Sequence, residues 1–326
     1  MIMKKGLLAR IAATLAAPLV LAGCVLNEEP TMDVSAGSLA KAADLSGVQL
    51  SVGGKEFTEQ LVLCEVTAQA LESAGATVQR SCGLSGTNSA RAALDSGDID
   101  MYWEYTGTGW VTHLGESGSV SDPDKLYREV ASRDKKQNGI AWLKPAPANN
   151  TYAVAASSET AKKLGVRTLS DYAELAKRNP SQASFCGAAE FFGRSDGWPG
   201  LQQEYQFTLP QSEVSELAAG AIYNSIDKAD PCAFGEVFAT DGRIEALDLT
   251  VLEDDKGFFT AYNPAVSIRD TVLSKHPKIA DVLEPVASAL DNATLRQLNA
   301  RVDVQGATPE QTSHDWLVKK GFVGAE

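Results

Sequence analysis

The sequence predicts an α/β protein of two lobes with a ligand cleft between them. Three observations carry that reading. Strands and helices alternate from residue 48 to residue 102, a second such series starts at residue 152, and past residue 262 the chain returns to a strand and then runs mostly helical. Alternation of this kind predicts parallel sheets. Two series and a return segment predict two sheets joined by crossing strands, with the loops at the carboxyl ends of the strands facing the cleft.

The elements follow in order. Val48-Gln49-Leu50-Ser51-Val52 alternates and runs into Gly53-Gly54, the pattern of a strand entering a tight loop. Thr58 opens a helix to about Ala74, with Leu61, Cys64, Glu65, Ala68 and Leu71 at helical spacing and Gly75 as its stop. Val78 to Cys82 is a strand, Thr87 or Asn88 caps a helix through Leu94, and Ile99 to Tyr102 is a third strand. Residues 121–138 read as a helix and Ile140 to Leu143 as a strand, after which Pro145 and Pro147 break the chain. The second series has a strand at Tyr152–Ala155, helices near 159–164 and 170–177, and strands at Ala183–Cys186, Ala233–Val237 and Leu249–Leu252. After Tyr262-Asn263-Pro264 come a strand at Ala265–Ile268 and helices at about 270–276, 278–290, 292–300 and 308–320.

The N-terminus reads as an address. Lys4, Lys5 and Arg10 precede a run from Ile11 to Ala22 that is apolar or small except for Thr14. The run is shorter than the ~20 residues of a membrane span and has the form of a secretory h-region. It ends in Leu21-Ala22-Gly23-Cys24, the form of a bacterial lipobox, so Cys24 is the expected lipidated residue after removal of residues 1–23. Residues 24–46 read as a flexible tether, residues 47–148 with 263–326 as the first lobe, and residues 149–262 as the second. The expected location is the outer face of the cell membrane, held by the lipid.

The 326 residues carry 29 basic and 42 acidic side chains, a net charge of -13 that argues against a nucleic-acid surface. Four cysteines remain beyond Cys24. Their order favours Cys64–Cys82 and Cys186–Cys232, one disulfide in each half of an exported protein, with buried free thiols as the alternative. Enzyme motifs are missing: there is no Gly-x-Ser-x-Gly, His-Glu-x-x-His or phosphate-binding loop. His113, His276 and His314 are scattered in polar, surface-like contexts. No catalytic residue, metal ligand or cofactor is expected.

Aromatic residues instead collect where the lobes should meet. They are Tyr102, Trp103 and Tyr105 before Thr106-Gly107-Thr108, Tyr152 at the first crossing, Phe191 and Phe192 before Gly193-Arg194, Phe234 and Phe238 before Thr240, and Phe258, Phe259 and Tyr262 at the second crossing. Core packing explains Phe234 and one of Phe258 and Phe259. Tyr105 and Tyr152, in loops beside Gly, Asn and Thr, fit a cleft. Several aromatic faces around one cavity attract a quaternary ammonium, each desolvated face contributing about 1–2 kcal/mol. Lys55, Thr108 and Arg194 are placed to hold a carboxylate.

Five ordered motifs resemble the glycine betaine/carnitine/choline-binding proteins of osmoprotectant ABC transporters. They are Gly53-Gly54-Lys55-Glu56-Phe57-Thr58-Glu59-Gln60, residues 98–108, Asn149-Asn150-Thr151-Tyr152-Ala153, residues 238–244 and residues 249–256. The resemblance runs from about residue 48 to the end. It implies a type II periplasmic-binding-protein fold with a Venus-flytrap cleft. It implies that Tyr105 and Tyr152 box the ammonium while Lys55, Thr108 and Arg194 hold a betaine carboxylate, with Phe191, Phe192, Phe238 and Tyr262 as further walls. The chain departs from the family at Trp103 and at Thr260-Ala261-Tyr262, where a Pro-Pro-Tyr is usual. The reading is a monomeric, lipid-anchored binding protein that delivers glycine betaine or a related betaine to an ABC permease. Choline, carnitine or ergothioneine is the alternative ligand, and an exported enzyme or a sensor on the same scaffold is the alternative class.

Overall fold

A computed structural model describes residues 35–117, 120 and 122–325. The signal segment, Cys24 and the tether as far as residue 34 lie outside the described residues. Two five-stranded sheets organise the chain. The first is built from β1 (Gln49–Lys55), β2 (Thr77–Leu84), β3 (Met101–Tyr105), β4 (Ile140–Trp142) and β10 (Pro264–Arg269), in the order β2-β1-β3-β10-β4. The second is built from β5 (Tyr152–Ser157), β6 (Phe185–Gly187), β7 (Val214–Glu216), β8 (Phe234–Phe238) and β9 (Leu249–Val251), in the order β7-β6-β8-β5-β9.

The pairing explains why two lobes form. β1 lies parallel to β2 and β3, and β6 lies parallel to β7 and β8, as the alternating pattern predicts. The antiparallel member of each sheet begins just after the chain crosses between the sheets. β5 runs antiparallel between β8 and β9, and β10 antiparallel between β3 and β4. Each sheet therefore takes the strand that follows a crossing as its fourth member, and the loops at the strand ends gather around the two crossings.

The helix Thr58–Ser73 is buried along most of its length, its polar Glu59, Gln60, Thr67 and Gln69 included. Its Val62, Leu63, Val66 and Leu71 join a core with Val52, Met101, Leu283, Leu317 and other buried side chains. Gly54 is required where this helix begins. A Cβ there would stand 2.9 Å from the Gln60 carbonyl oxygen and 3.0 Å from the Cys64 Cβ. The register of β1 against β2 shifts between Gly54 and Lys55, which re-aims the last side chain of the strand.

Three expectations are corrected. The tether does not run flexibly to residue 46: Ser38–Ala42 is a helix, Leu39 and Leu45 are buried in the first core, and the Ser38 N–H donates to the Gly321 carbonyl. Its few apolar residues are too short a run to show a period. Residues 188–232 also hold more structure than their pattern displays, with helices at Ala189–Gly193, Trp198–Glu204 and Ala219–Lys228 beside β7. The middle one of these, opening Trp198-Pro199-Gly200, is held by the Trp198 ring stacked on Phe185 at 4.1 Å, a contact between distant residues. Finally, β3 runs from Met101 to Tyr105, so Trp103 and Tyr105 belong to the strand rather than to a loop after Tyr102.

Both favoured cysteine pairs are disulfides, Cys64–Cys82 with Cα atoms 6.0 Å apart and Cys186–Cys232 at 5.6 Å. The chain-entropy model assigns about 3 kcal/mol to the shorter loop and about 4 kcal/mol to the longer. Replacing Cys186 and Cys232 together by Ser should therefore lower the urea midpoint at least as far as replacing Cys64 and Cys82. Urea unfolding of both double variants checks the order.

Candidate functional site

The loops at the crossings enclose a cavity of about 660 Å³. Five aromatic rings stand in its wall, each delivered by the end of a strand: Phe57 after β1, Tyr105 ending β3, Tyr152 starting β5, Phe238 ending β8 and Tyr262 before β10. Antiparallel pairing sets Tyr152 opposite Phe238. The rings form a connected series. Phe57 stacks on Phe238 at 5.2 Å and on Tyr105 at 6.3 Å, and Tyr152 meets Phe238 at 5.4 Å and Tyr262 edge-on at 5.8 Å. Gly107 makes room for Tyr262, since a Cβ there would lie 2.6 Å from the ring.

Of the residues expected at the site, Lys55, Tyr105, Thr108, Tyr152, Arg194, Phe238 and Tyr262 line this cavity. Phe191 and Phe192 do not. Phe191 is fully buried behind Tyr152, with ring centroids 5.1 Å apart, and Phe192 packs on Phe185 and Trp198. The sequence puts both beside Arg194, but the short helix Ala189–Gly193 turns their rings into the second lobe's core. Phe57 is a wall that the sequence reading missed. Its position just past the first strand, within the Gly-Gly-Lys-Glu-Phe run, was the available signal.

The cavity's cations are already partnered. Lys55 is buried, and its Nζ donates to Glu104 Oε1 at 2.8 Å and Thr87 Oγ1 at 3.0 Å while lying 5.4 Å from the Tyr105 ring centre. Glu104 also accepts from the Tyr102 hydroxyl and the Tyr105 backbone N–H, and stands 3.0 Å from His113 Nε2. Burial opposes its charge, but Lys55 and His113 outweigh burial and hold the carboxyl well below the usual carboxylate range. His113 is thus a buried partner rather than a surface residue, and His314 is buried as well.

Arg194 donates twice to Asp196, at 2.8 and 2.6 Å, and once to Glu190 at 3.1 Å. Asp196 in turn accepts from the Tyr262 hydroxyl, and Glu190 accepts from Thr87 Oγ1 at 2.6 Å. One hydrogen-bonded chain therefore runs from Lys55 in the first sheet, through Thr87 and Glu190, to Arg194 and on to Tyr262. Burial keeps the Tyr105, Tyr152 and Tyr262 hydroxyls protonated, well above the ordinary phenol range. Their rings present uncharged faces to the cavity.

Two further buried acids, like Glu104, were not foreseen. Glu59 Oε1 accepts from the Tyr105 hydroxyl at 2.8 Å and Asn150 Nδ2 at 2.8 Å, and its Oε2 from Thr240 Oγ1 at 2.5 Å and Asn299 Nδ2 at 3.1 Å. Burial raises its pKa above the usual value against the pull of these four donors. Glu236, on the same face of β8 as Phe238, accepts the Ala188 N–H at 2.8 Å, and burial pushes its carboxyl up to about 8. Acids inside a strand or a helix start read as ordinary surface charges in sequence, so no local signal marked them.

A model of the family described as "Substrate binding domain of ABC-type glycine betaine transport system" matches residues 48–319. The glycine-betaine-binding protein of Pseudomonas aeruginosa is 38% identical over 275 residues, 82% of this chain and 86% of that protein. The ergothioneine transport permease/ergothioneine binding protein EgtU of Helicobacter pylori is 33% identical, covering 84% of this chain and 48% of that longer protein. The solved structure of apo YehZ from Escherichia coli is 31% identical, with a TM-score of 0.62 over 84% of this chain and 99% of that one. The fold is accordingly the type II periplasmic-binding-protein fold.

Glu236 gives a pH prediction. Between about 4.5 and about 8 the folded chain holds a proton that the unfolded chain has released. The sign follows: this contribution is complete below 4.5 and is lost as pH rises through 8. Melting temperatures from pH 5 to pH 9 should fall less steeply in Glu236→Gln than in the natural chain. Equal slopes would contradict the assignment.

Proposed function

Since the chain belongs to the family of substrate-binding domains of ABC-type glycine betaine transport systems, we propose that it captures a quaternary-ammonium solute, glycine betaine or a related betaine, for delivery to a membrane permease. Members of this family work outside the cytoplasm and bind ligand without transforming it. The observation that carries the reading is the five-ring wall of one cavity. A trimethylammonium group has no N–H to donate, so it gains little from polar groups and much from ring faces. Three or four such faces at about 1–2 kcal/mol each supply most of a micromolar affinity, which is about 8 kcal/mol.

Tyr105, Tyr152, Phe238, Tyr262 and Phe57 are the proposed box. Lys55, Thr108 and Arg194 are the proposed hold on the carboxylate. A lysine has three donors and an arginine five. Two Lys55 bonds and three Arg194 bonds go to protein partners, which leaves donors on both for a ligand. Ligand held by both lobes favours the closed arrangement, and a permease recognises that shape. The proposed chain is a monomer, anchored by lipid on Cys24 after removal of residues 1–23. Its proposed lobes are residues 47–148 with 263–326, and residues 149–262.

A second reading has its own observation. Because Lys55 and Arg194 are already neutralised by Glu104 and Asp196, they do not repel a ligand whose only charge is the ammonium, such as choline. Calorimetry with glycine betaine, carnitine, ergothioneine and choline separates the two. The betaine reading expects Tyr152→Ala to weaken every ligand about tenfold or more. It expects Arg194→Ala to weaken betaines far more than choline. Choline binding as tightly as glycine betaine, or indifference of betaine to Arg194→Ala, would favour the second reading. For the anchor, mass spectrometry of the membrane fraction should find diacylglyceryl-modified Cys24, and Cys24→Ser should release the protein.

A further inference from the structure

Among the described residues, Glu59 is the one carboxylate at the cleft that receives hydrogen bonds from both lobes and from a crossing segment together. It sits in the first turn of the helix Thr58–Ser73 and is 3% exposed. Its four donors come from four segments: Tyr105 ends β3, Asn150 lies in the first crossing, Thr240 follows β8 in the second lobe, and Asn299 belongs to the helix Asn292–Asp303. Asn299 Nδ2 also donates to the Thr240 carbonyl at 3.0 Å. Two unpartnered atoms show which interaction dominates. Asn150 Oδ1 and Asn299 Oδ1 are buried without a hydrogen-bond partner. Both amides turn their N–H groups to Glu59 although this leaves their own oxygens unsatisfied, an arrangement that a strong acceptor enforces.

The segment after β8 is seated closely on the first lobe at the same place. A Cβ on Gly242 would lie 2.5 Å from Ala300 Cβ and 2.6 Å from Ala300 N. A Tyr105 hydroxyl on one oxygen and a Thr240 hydroxyl on the other make one carboxylate the common partner of a ring in the box and a loop of the opposite lobe. We propose that Glu59 is a positioning residue that couples the Tyr105 wall of the ligand box to the docking of the second lobe. Movement of the ring and movement of the lobe then report to each other through one side chain. This rests on the proposed quaternary-ammonium ligand only for its binding readout.

The chemistry of the substitutions is specific. Tyr105→Phe keeps the ring face and its stack on Phe57 but removes one donor, and Thr240→Val removes the donor from the other lobe. In Glu59→Gln an amide N–H replaces an acceptor. Asn150 can answer by turning over, whereas Asn299 cannot without losing the Thr240 carbonyl. Calorimetric titration of glycine betaine and choline into the natural chain, Tyr105→Phe, Thr240→Val and the double variant tests the coupling. Each single change should weaken binding roughly five- to tenfold. The double should be no weaker than the worse single, because either cut breaks the same link. Independent, multiplying effects, or no effect of either single change, overturn the proposal.

A second arm needs no ligand. Spin labels on Glu129→Cys and Lys163→Cys, exposed helix positions on the two lobes, report the distance between lobes. Adding Glu59→Gln, or Thr240→Val if the Gln variant does not fold, should lengthen and broaden that distance. An unchanged distribution overturns the proposal. Failure of every quaternary ammonium to bind the natural chain would sink the ligand assignment while the label distances still decide the role of Glu59.

Discussion

A charge taken out of water must find a partner, and the cleft of this protein takes many charges out of water. Lys55 and Glu104 meet at 2.8 Å with side chains 4% and 0% exposed. Arg194 is held by Asp196 and Glu190, and Arg243 by Asp241. Two of these cations lie against rings of the cavity wall and the third against a ring of the second lobe's core. Arg194 lies over Tyr152, Lys55 over Tyr105, and Arg243 stacks on Tyr223 at 3.8 Å. Tyr105 and Tyr152 are therefore flanked inside the cavity by cations that are themselves held by carboxylates.

This arrangement divides the labour of recognition. Rings supply attraction that is tolerant in direction, which suits a bulky cation without donors. The ion pairs supply rigidity, so that little ordering remains to be done when a ligand arrives. In the proposed function their residual donors are what discriminates between ligands with and without an anionic end. A cleft with unpaired cations would draw anions of every kind; a cleft with neutralised ones responds to a carboxylate only where the geometry allows a further bond.

The same economy of contacts appears in the backbone. Because β5 and β10 each run antiparallel as the fourth strand of their sheets, beside β8 and β3, Tyr152 and Tyr262 emerge at the two crossings near the strand ends that carry Phe238 and Tyr105. Five rings from five separate places in the sequence meet because the chain crosses twice, and no local element brings any two of them together.

Much of this was legible in the sequence. The alternation of strands and helices, the even set of cysteines in order, and aromatic residues beside Gly, Asn and Thr are local patterns; they pointed to the fold class, favoured both disulfides and put Tyr105 and Tyr152 at the cleft, and the family resemblance added Phe238 and Tyr262. Tertiary structure alone decided the rest. Phe191 and Phe192 pointed into a core because a five-residue helix turned them there, and Phe57 became a wall because the β1 end faces the crossings. Lys55 chose Glu104 rather than its neighbour Glu56, and residues 38–45 docked because the C-terminal Gly321 offered a carbonyl and the core a place for Leu39. Period and spacing report what a segment does with its own neighbours. The partner of a buried charge and the direction of a ring depend on segments up to hundreds of residues away, and only packing brings those into contact.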